Sequence, residues 1–400
     1  MGLAPTYRRY LAMTSTLLTS FPGIDDTSRR QYAPLQVPQR LLLGPGPSNA
    51  DPTVVAAMNH QPIGHLDPAY LSMMDEVQEL LRYAWQTQNQ LTYPIPGTGT
   101  AAMEATLANV IEPEDVVLVA VKGYFGHRLV DMAERYGADV RTVHQHWGQA
   151  FELAELRKAI EAHRPQVLAI VHAETSTGVR QPLEGLGELC REFDCLLIVD
   201  TVTSLGGVPI FLDAWQVDLA YSCSQKGLSC PPGISPFTMG ERAIAKLQRR
   251  RNKVANWYLD ANLLKQYWGS ARTYHHTAPV NMTYALREAL RLLAEEGLAA
   301  RWQRHQDNAE KLWQGLADLG LNCHVERDLR LPTLTTVRVP ENVDAKAISR
   351  ALLRDYNIEI GGGLGELAGQ VWRIGLMGAN SQPENVETLL KALSEVLHNT

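Results

Sequence analysis

The sequence has 400 residues, of which 45% are hydrophobic and 20% charged, a composition typical of a soluble globular protein with a sizeable core and about two domains. Its 37 basic and 43 acidic residues give a formal net charge of −6, which argues against a nucleic-acid or polybasic membrane surface. No apolar run approaches the roughly 20 residues that a membrane-spanning helix needs.

The 5 cysteines are few and odd in number, and their spacing matches no zinc-binding pattern. We therefore expect free, mostly buried thiols in a reducing compartment, which favours a cytoplasmic protein, and we expect no metal site. The adjacent His275 and His276 do not change this expectation, because neighbouring histidines point in different directions and no third ligand is apparent in the sequence.

The N-terminal residues 1–38 differ from the rest of the chain, because they are rich in Ser, Thr, Arg and Pro and lack a sustained hydrophobic period. We expect a loosely ordered arm or an arm that wraps a partner subunit. A transit peptide into an organelle is the alternative, since Arg8, Arg9 and the nearby hydroxyl residues fit that composition. The acidic pair at 25–26 argues against it, and Met13 is an alternative start.

Short apolar runs alternate with amphipathic segments between residues 90 and 240. The runs contain almost no polar alternation, as expected for strands buried on both faces of a mainly parallel sheet. This alternation predicts an α/β fold with helices on both sides of the sheet. The predicted strands are VVLVAV (116–121), VLAIVHAE (167–174), CLLIVD (195–200) and DLAYSCSQ (218–225), and the helices between them include HRLVDMAERYGA (127–138) and AFELAELRKAIEAHR (150–164).

The C-terminal part of the sequence predicts a second, smaller α+β unit. Residues 284–320 read as two consecutive helices broken near Gly297. They are followed by TLTTVRVP (333–340), a helix over 343–356, the strand-like VWRIGLMG (371–378) and a closing helix over 384–397. We therefore predict a large domain over residues 39–296 and a small domain over residues 297–400.

Three polar side chains follow the predicted strands where a ligand crevice is expected. In open α/β sheets ligands bind outside the carboxyl ends of the strands, and Thr175, Asp200 and Lys226 stand at or just after such ends. An acid and a lysine from separate strands would converge on one crevice. For Asp200 the alternative is that it only caps the following turn.

Lys226 is the most informative of the three, because burying an ammonium without a task costs several kcal/mol. A partly desolvated lysine can attack a carbonyl and form a Schiff base. A carboxylate then keeps the pyridine nitrogen of pyridoxal phosphate protonated, which is a role for Asp200. This cofactor also needs a phosphate cup. The loop IPGTGTAAME (95–104) runs into a predicted helix from Thr100 onward and can supply one, although a tight turn alone explains the loop equally well.

Several longer blocks carry a resemblance to a known family. They are LLLGPGPSN, ETSTGVRQPLEGLGELC, LLIVDTVTSLGG, YSCSQKGLSCPPG, TYHHTAPV and RIGLMG. From residue 41 to the end the chain resembles the alanine–glyoxylate and serine–pyruvate aminotransferases, class V members of the fold-type I pyridoxal phosphate enzymes. The resemblance implies a seven-stranded, mainly parallel sheet in the large domain and a smaller C-terminal α+β domain.

The resemblance also implies roles for individual residues. Lys226 matches the lysine that carries the cofactor and shuttles the substrate proton, and Asp200 matches the partner of the pyridine nitrogen. Arg373 matches the arginine that clamps the substrate carboxylate, although by spacing alone it also fits a surface charge. The remaining implied contacts are to the ring hydroxyl (Thr175), to the phosphate (Thr98, Gly99, Thr100 and Gln225), to the ring face (Phe125), to the phosphate from the other subunit (Tyr274 and Thr277) and to the substrate (Gly46 and Thr175).

The activity that the resemblance implies is transfer of the amino group of L-alanine, or of L-serine, to glyoxylate by a ping-pong mechanism. The implied assembly is a homodimer with the active site at the subunit interface. A cysteine desulfurase-type lyase is an alternative, but no cysteine precedes Arg373 closely enough to act as its mobile nucleophile. An inactive binding subunit is a further alternative, and the intact lysine, acid and arginine argue against it.

Overall fold

The computed structural model describes residues 30–398, and the chain divides into two units, Met1–Gln39 and Arg40–Thr400. Of the first unit only residues 30–39 are described, and they form no helix or strand. The predicted arm or targeting segment therefore lies largely outside the described residues. Within the described range no helix is both long and apolar enough to cross a membrane.

A seven-stranded sheet forms the centre of the unit Arg40–Thr400. Its strands lie in the spatial order β2-β10-β9-β8-β5-β3-β4, and β10 runs in the opposite direction to the other six strands. The mainly parallel α/β sheet predicted from the sequence is confirmed. The strands are β2 (Leu91–Pro96), β3 (Val116–Val121), β4 (Asp139–His144), β5 (Val167–Val171), β8 (Leu196–Asp200), β9 (Leu219–Tyr221) and β10 (Ile234–Met239).

The central strands are apolar throughout because each contributes to two separate cores. In β3 the side chains of Val117 and Val119 enter one buried cluster, whereas Leu118 and Ala120 enter the cluster on the opposite face. Side chains alternate between the two faces of a strand, so a sheet covered on both sides needs uninterrupted hydrophobic residues. The edge strand β4 is covered less and alternates between exposed and half-buried positions.

Twelve α-helices lie within the described residues and cover the sheets. They are α1 (Pro52–Met58), α2 (Pro68–Trp85), α3 (Gly99–Val110), α4 (Tyr124–Arg135), α5 (Leu153–His163), α6 (Leu186–Glu192), α7 (Glu241–Gln248), α8 (Ala261–Trp268), α9 (Val280–Glu296), α10 (Leu298–Asp318), α11 (Ala345–Tyr356) and α12 (Pro383–His398). Short 3₁₀ turns occur at Trp257–Leu259, Arg327–Leu329, Gly365–Leu367 and Gly378–Asn380.

A smaller three-stranded sheet forms the C-terminal part, in the order β11-β14-β13. Its strands are β11 (Leu334–Arg338), β13 (Gly361–Gly362) and β14 (Val371–Gly375); β1 (Leu41–Leu42) pairs with β12 (Ile358–Glu359), and β6 (Ala173–Glu174) pairs with β7 (Val179–Arg180). A third core, built around the fully buried Trp372, packs this sheet against α10, α11 and α12. The break at Gly297 between α9 and α10 is confirmed. The domain boundary at 296/297 stays a prediction.

Two predicted strands are shorter in the structure than the apolar runs suggested. The run 218–225 forms strand only over Leu219–Tyr221. The residues after it form a turn, which is closed by two hydrogen bonds: the N–H of Cys230 donates to the carbonyl of Ser224, and the hydroxyl of Ser224 donates to the carbonyl of Pro231. The run 167–174 leaves the main sheet after Val171, and its last two residues form the separate ribbon of β6 with β7.

Candidate active site

Asp200 ends β8 at the carboxyl edge of the sheet, as predicted, and is 2% exposed. Its Oδ1 accepts a hydrogen bond from the backbone N–H of Val202 at 2.8 Å, and its Oδ2 accepts one from the hydroxyl of Tyr221 at 2.7 Å. Burial raises the pKa of Asp200 to about 6, although these two hydrogen bonds oppose the shift. The carboxyl is therefore held in place as a buried, ionisable group at the base of the site.

Lys226 lies in the turn after β9, and neighbouring backbone fixes that turn. The backbone N–H of Ser48 donates to the carbonyl of Gln225 at 2.9 Å, and the Ser48 hydroxyl donates to the carbonyl of Lys226 at 2.9 Å. The Lys226 Nζ donates to the carbonyl of Pro45. A side chain at Gly46, which has φ +108°, would collide with the Lys226 side chain, so the glycine is needed for this close approach.

The Lys226 amine forms no ion pair with any residue in the range 30–398, and its surroundings favour the neutral form. Burial lowers the pKa of Lys226, and the positive charge of Arg373 acts in the same direction. Cys223 and Asp200 oppose the shift. A lysine with a lowered pKa carries a larger fraction of free amine at neutral pH, and the free amine is the form that attacks carbonyls and accepts protons.

Arg373, in β14, is 6% exposed and reaches the same site from the smaller sheet. Its Nε donates to the carbonyl of Gly362 at 2.7 Å, and one terminal nitrogen donates to the carbonyl of Thr175 at 3.2 Å. Burial lowers the pKa of Arg373 to about 10, and Glu174 opposes this shift. The guanidinium has no carboxylate within ion-pair distance in the described residues, so it is a buried cation with donors to spare.

The residues predicted to form the phosphate cup lie at the N-terminus of α3. Thr98 precedes the helix without a side-chain cap, and both Thr98 and Thr100 are exposed, whereas Gly99 is buried. A side chain at Gly99 would lie 3.0 Å from the Cβ of Cys223, so the helix start packs tightly against the turn that carries Lys226. The unpaired N–H groups and the dipole of such a helix start favour an anion.

Phe125 and Gln225 line the same region. Phe125 is half-buried, and the guanidinium of Arg128 lies 4.9 Å from its ring centroid while also donating to the Thr100 hydroxyl at 3.3 Å. The Oε1 atom of Gln225 is buried without a hydrogen-bond partner among the described residues. A buried amide oxygen without a partner is costly, which indicates a polar group of a ligand at this position.

Thr175 is buried and its hydroxyl hydrogen-bonds the hydroxyl of Thr203. The structure thus brings together the side chains predicted for the ring, the phosphate and the carboxylate. It does not bring in Tyr274 and Thr277, which are exposed and form no hydrogen bond with these residues in the described part of the chain. Tyr274 instead packs against His65, with 5.4 Å between ring centroids.

Four residues of the site were not identified from the sequence: Lys122, Glu174, Tyr221 and Arg128. Lys122 is fully buried after β3, donates to the carbonyl of Val171, and has its pKa lowered by burial to about 8. Glu174 accepts from the N–H and hydroxyl of Ser176, and its other oxygen lacks a partner among the described residues. The signal for Lys122 was present, since it follows an apolar run and precedes a glycine as Lys226 does.

These residues fit pyridoxal phosphate. The amine of Lys226 suits its aldehyde, the buried carboxyl of Asp200 suits its ring nitrogen, and the open N-terminus of α3 suits its phosphate. Two features of the protein support the fit: the unpaired Oε1 of Gln225 and, within residues 30–398, a lysine without a carboxylate partner.

Comparison with known proteins identifies the family of the chain. The family model of the class-V aminotransferases matches residues 41–389, which implies pyridoxal phosphate. The chain is similar to a crystal structure of alanine–glyoxylate aminotransferase from Nostoc sp., with a TM-score of 0.93 and 70% identity, covering 94% of this chain and 100% of that chain.

Two further relatives were found by sequence. The alanine–glyoxylate aminotransferase of Drosophila melanogaster is 45% identical over 372 residues, which is 92% of this chain and 94% of the relative. The (S)-ureidoglycine–glyoxylate transaminase of Bacillus subtilis is 39% identical over 385 residues, which is 91% of this chain and 92% of the relative.

Proposed function

The chain belongs to the class-V aminotransferases and is a pyridoxal phosphate-dependent transaminase, and on that premise we propose that it transfers the amino group of L-alanine to glyoxylate, giving pyruvate and glycine. The observation that carries the proposal is Arg373, a buried guanidinium next to the reactive lysine. Its partners within residues 30–398 are the carbonyls of Gly362 and Thr175. Such a guanidinium can bind the carboxylate of a small amino or keto acid in bidentate geometry.

Each residue of the site then has a defined task. Pyridoxal phosphate, when bound, supplies an aldehyde for amines and a ring that withdraws electrons from the α-carbon of the substrate. Lys226 Nζ, whose pKa burial lowers, would take the proton from the substrate α-carbon and later return a proton. Asp200 would hold the ring nitrogen of the cofactor with its carboxylate, and Arg373 would orient the substrate through the substrate carboxylate.

The proposed order is ping-pong, so the first keto acid leaves before the second substrate binds. One arginine binds the carboxylate of donor and acceptor in turn, since both are α-substituted acids of similar size. Serine, with pyruvate or glyoxylate as acceptor, suits the same arginine and is the first alternative donor. Ureidoglycine is a second alternative, favoured by the similarity to the Bacillus subtilis transaminase, whose acceptor is also glyoxylate.

A steady-state survey of alanine, serine and ureidoglycine against glyoxylate and pyruvate tests this proposal. We expect the highest kcat/KM for alanine with glyoxylate and parallel lines in double-reciprocal plots. Lys226→Ala is expected to lose activity on the order of 10³-fold, because it removes the group that moves the proton. Turnover of alanine and glyoxylate by Lys226→Ala at the wild-type rate would refute the mechanism.

A desulfurase-type activity finds little support, because it needs a reactive thiolate near the substrate. Cys323, the cysteine nearest to Arg373 in sequence, pairs through its backbone with Val337 in the smaller sheet. Burial raises the pKa of the Cys323 thiol, which disfavours the thiolate. Absence of sulfide release from L-cysteine is the expected result.

We further propose that the protein acts as a homodimer, with Tyr274 and Thr277 completing the phosphate cup of the partner subunit. Both residues are exposed and lie near a set of aromatic rings. Trp257, which is 61% exposed, stacks on His275 with 4.4 Å between ring centroids. Exposed aromatic residues clustered in this way are typical of protein interfaces.

A further inference from the structure

Helix α10 begins directly behind the site and carries two arginines that share one carboxylate. Arg301 donates to Oε2 of Glu296 at 2.8 Å, and Arg304 donates to both oxygens, to Oε1 at 2.6 Å and to Oε2 at 3.0 Å. Arg301 is only 5% exposed, so its guanidinium is held inside the protein. A buried arginine usually needs all of its donors satisfied, which makes its remaining partners informative.

Arg301 uses its other donors on the backbone around the reactive lysine. Its Nε donates to the carbonyl of Gly206 at 2.9 Å, and its second terminal nitrogen donates to the carbonyl of Gly227 at 2.8 Å. Gly227 directly follows Lys226, and a side chain there would collide with the carbonyl of Leu205. The planar guanidinium therefore joins two closely packed backbone segments and fixes the peptide that follows Lys226.

Arg304 reaches a different loop, residues 376–382, which follows β14 and therefore Arg373. One terminal nitrogen of Arg304 donates to the carbonyls of Gly378 at 3.0 Å and Ser381 at 2.6 Å. His305 and Asn308 bind the same loop: the N–H of Gly378 donates to the Nε2 of His305 at 3.0 Å, and Asn308 donates to the carbonyl of Ser381 at 2.9 Å.

The two loops also contact each other. The backbone N–H of Ala379 donates to the hydroxyl of Ser229, three residues after Lys226, at 2.6 Å. The turn that carries Lys226 and the loop behind Arg373 are thus joined directly and through α10. These contacts connect the segment of the reactive amine to the segment of the carboxylate-binding arginine.

We propose that Arg301 and Arg304 are positioning residues with separate tasks, Arg301 holding the turn of Lys226 and Arg304 holding the loop behind Arg373, with Glu296 as their common anchor. The proposal rests on the proposed function, in which Lys226 moves the proton and Arg373 binds the substrate carboxylate. Small displacements of a proton-transferring group reduce the rate of the chemical step, whereas displacement of a carboxylate-binding group weakens substrate binding.

Arg301→Gln and Arg304→Gln test this division of tasks in the full chain, first without cofactor or substrate. Amide hydrogen exchange is followed in residues 222–233 and 374–382 by mass spectrometry. We expect Arg301→Gln to raise exchange mainly in the first segment and Arg304→Gln mainly in the second. Gln303→Ala is the matched control, because Gln303 is exposed between the two arginines and its side chain, among the described residues, bonds Asp307 of the same helix and neither loop.

Steady-state kinetics of the cofactor-loaded variants form the second measurement. Arg301→Gln is expected to lower kcat by roughly 10- to 100-fold with KM for alanine little changed, the range expected from losing hydrogen bonds of a charged donor. Arg304→Gln is expected to raise KM by about 10-fold with kcat little changed. Arg301→Lys keeps the charge beside Glu296 but cannot bridge both carbonyls, so it should resemble Arg301→Gln in kcat while folding as wild type.

Equal changes in both segments for both variants, or wild-type exchange in both, would overturn the proposal. A loss of kcat and a rise of KM to the same extent in both variants would also overturn it. The exchange measurement involves neither cofactor nor substrate. If the protein turned out to use other substrates, the exchange result would still stand and only the kinetic result would fail, which separates failure of this proposal from failure of the proposed function.

Discussion

At the scale of single residues, the buried carboxyl of Asp200 makes the stability of the cofactor-free protein depend on pH. Burial raises its pKa from 3.8 to about 6, so the folded protein retains a proton that the unfolded chain has already released between these pH values. The free energy of unfolding therefore falls as pH rises from about 4 to about 6 and stays lower above this range. The ionised carboxyl destabilises the cofactor-free protein by ~3 kcal/mol at neutral pH.

Asp200→Asn should consequently stabilise the cofactor-free protein while weakening cofactor binding. The amide keeps hydrogen-bond partners near Val202 and Tyr221 but carries no charge. Urea unfolding at pH 7.5 is expected to show a gain of ~2–3 kcal/mol, reduced to about half at pH 5, where the wild-type carboxyl is largely protonated. A pH-independent gain, or a loss at pH 7.5, would contradict the assigned shift.

The two lysines at the edge of the sheet show what a single sequence can and cannot predict at this scale. Lys226 and Lys122 both follow an apolar run and precede a glycine, but the sequence points only to Lys226, first by its position after a strand close to that of Asp200 and then by the resemblance of its block to a family. The structure separates them: Lys226 lies against Gly46 on the crevice side, whereas Lys122 is fully enclosed and bonds the carbonyl of Val171. The residues around Lys122 come from distant parts of the sequence, and the spacing of residues along the chain does not reveal such contacts.

Lys122 also explains part of the charge balance around Asp200. It lowers the pKa of Asp200, whereas Glu174 raises it, so the two buried charges act in opposite directions on the carboxyl. The sequence does not single out Glu174, because this residue ends an apolar run that predicts a strand. Its side chain packs against Gly123 at the start of α4, where a Cβ would collide with it. Such a contact depends on a glycine 51 positions away in the sequence.

At the scale of secondary structure, Gly297 is the joint between α9 and α10. It has φ +82° and ψ 141°, a conformation that side chains other than glycine rarely adopt, and no atom lies within 4 Å of a Cβ built there. Strain in the backbone, and not a steric clash, is therefore the reason for glycine. The joint also sets the direction of α10, which carries Arg301 and Arg304 to their two loops.

Gly297→Ala is expected to lower the free energy of unfolding by ~1–3 kcal/mol, the usual range for a residue held in a sparsely populated backbone region. Thermal or urea unfolding of the cofactor-free protein measures the effect. Gly362→Ala is the control, because Gly362 also has open space around a Cβ but no positive φ, so it should change stability by less than about 1 kcal/mol. Equal effects of both substitutions would show that backbone strain is not the cause.

The elements themselves were largely predictable, whereas the turns that make the site were not. The strand over 116–121 and the helix break at Gly297 follow from apolar runs and a glycine between two amphipathic segments. The run 218–225 was predicted as strand to its end, but residues after Tyr221 fold back because the carbonyl of Pro231 accepts from Ser224. A hydrophobic run predicts that its residues are buried, but it does not distinguish a buried strand from a buried turn.

At the scale of the whole molecule, the predicted site is complete only in part within one chain. Residues for the ring, the reactive amine and the carboxylate come together, but Tyr274 is 58% exposed and has no hydrogen bond with them in the described residues. A symmetric dimer places the same surface of each chain against the other, so a residue absent from its own site can serve the partner's. From the sequence, the assignment of Tyr274 to the site of the other subunit depends on the resemblance to a family.

Mixing two inactive variants tests whether Tyr274 acts across the proposed interface. Lys226→Ala removes the reactive amine and Tyr274→Ala removes the proposed phosphate contact, so a dimer of one variant alone has two impaired sites. In a hybrid dimer, one site combines the intact Lys226 of one chain with the intact Tyr274 of the other. Hybrids make up half of a random mixture and each has one intact site, so co-refolding should restore roughly a quarter of the wild-type activity.

Thr277→Ala in place of Tyr274→Ala should complement in the same way, whereas Asp200→Asn mixed with Lys226→Ala should not, because both belong to one chain's site. Activity equal to the sum of the separate variants would place Tyr274 in the site of its own chain.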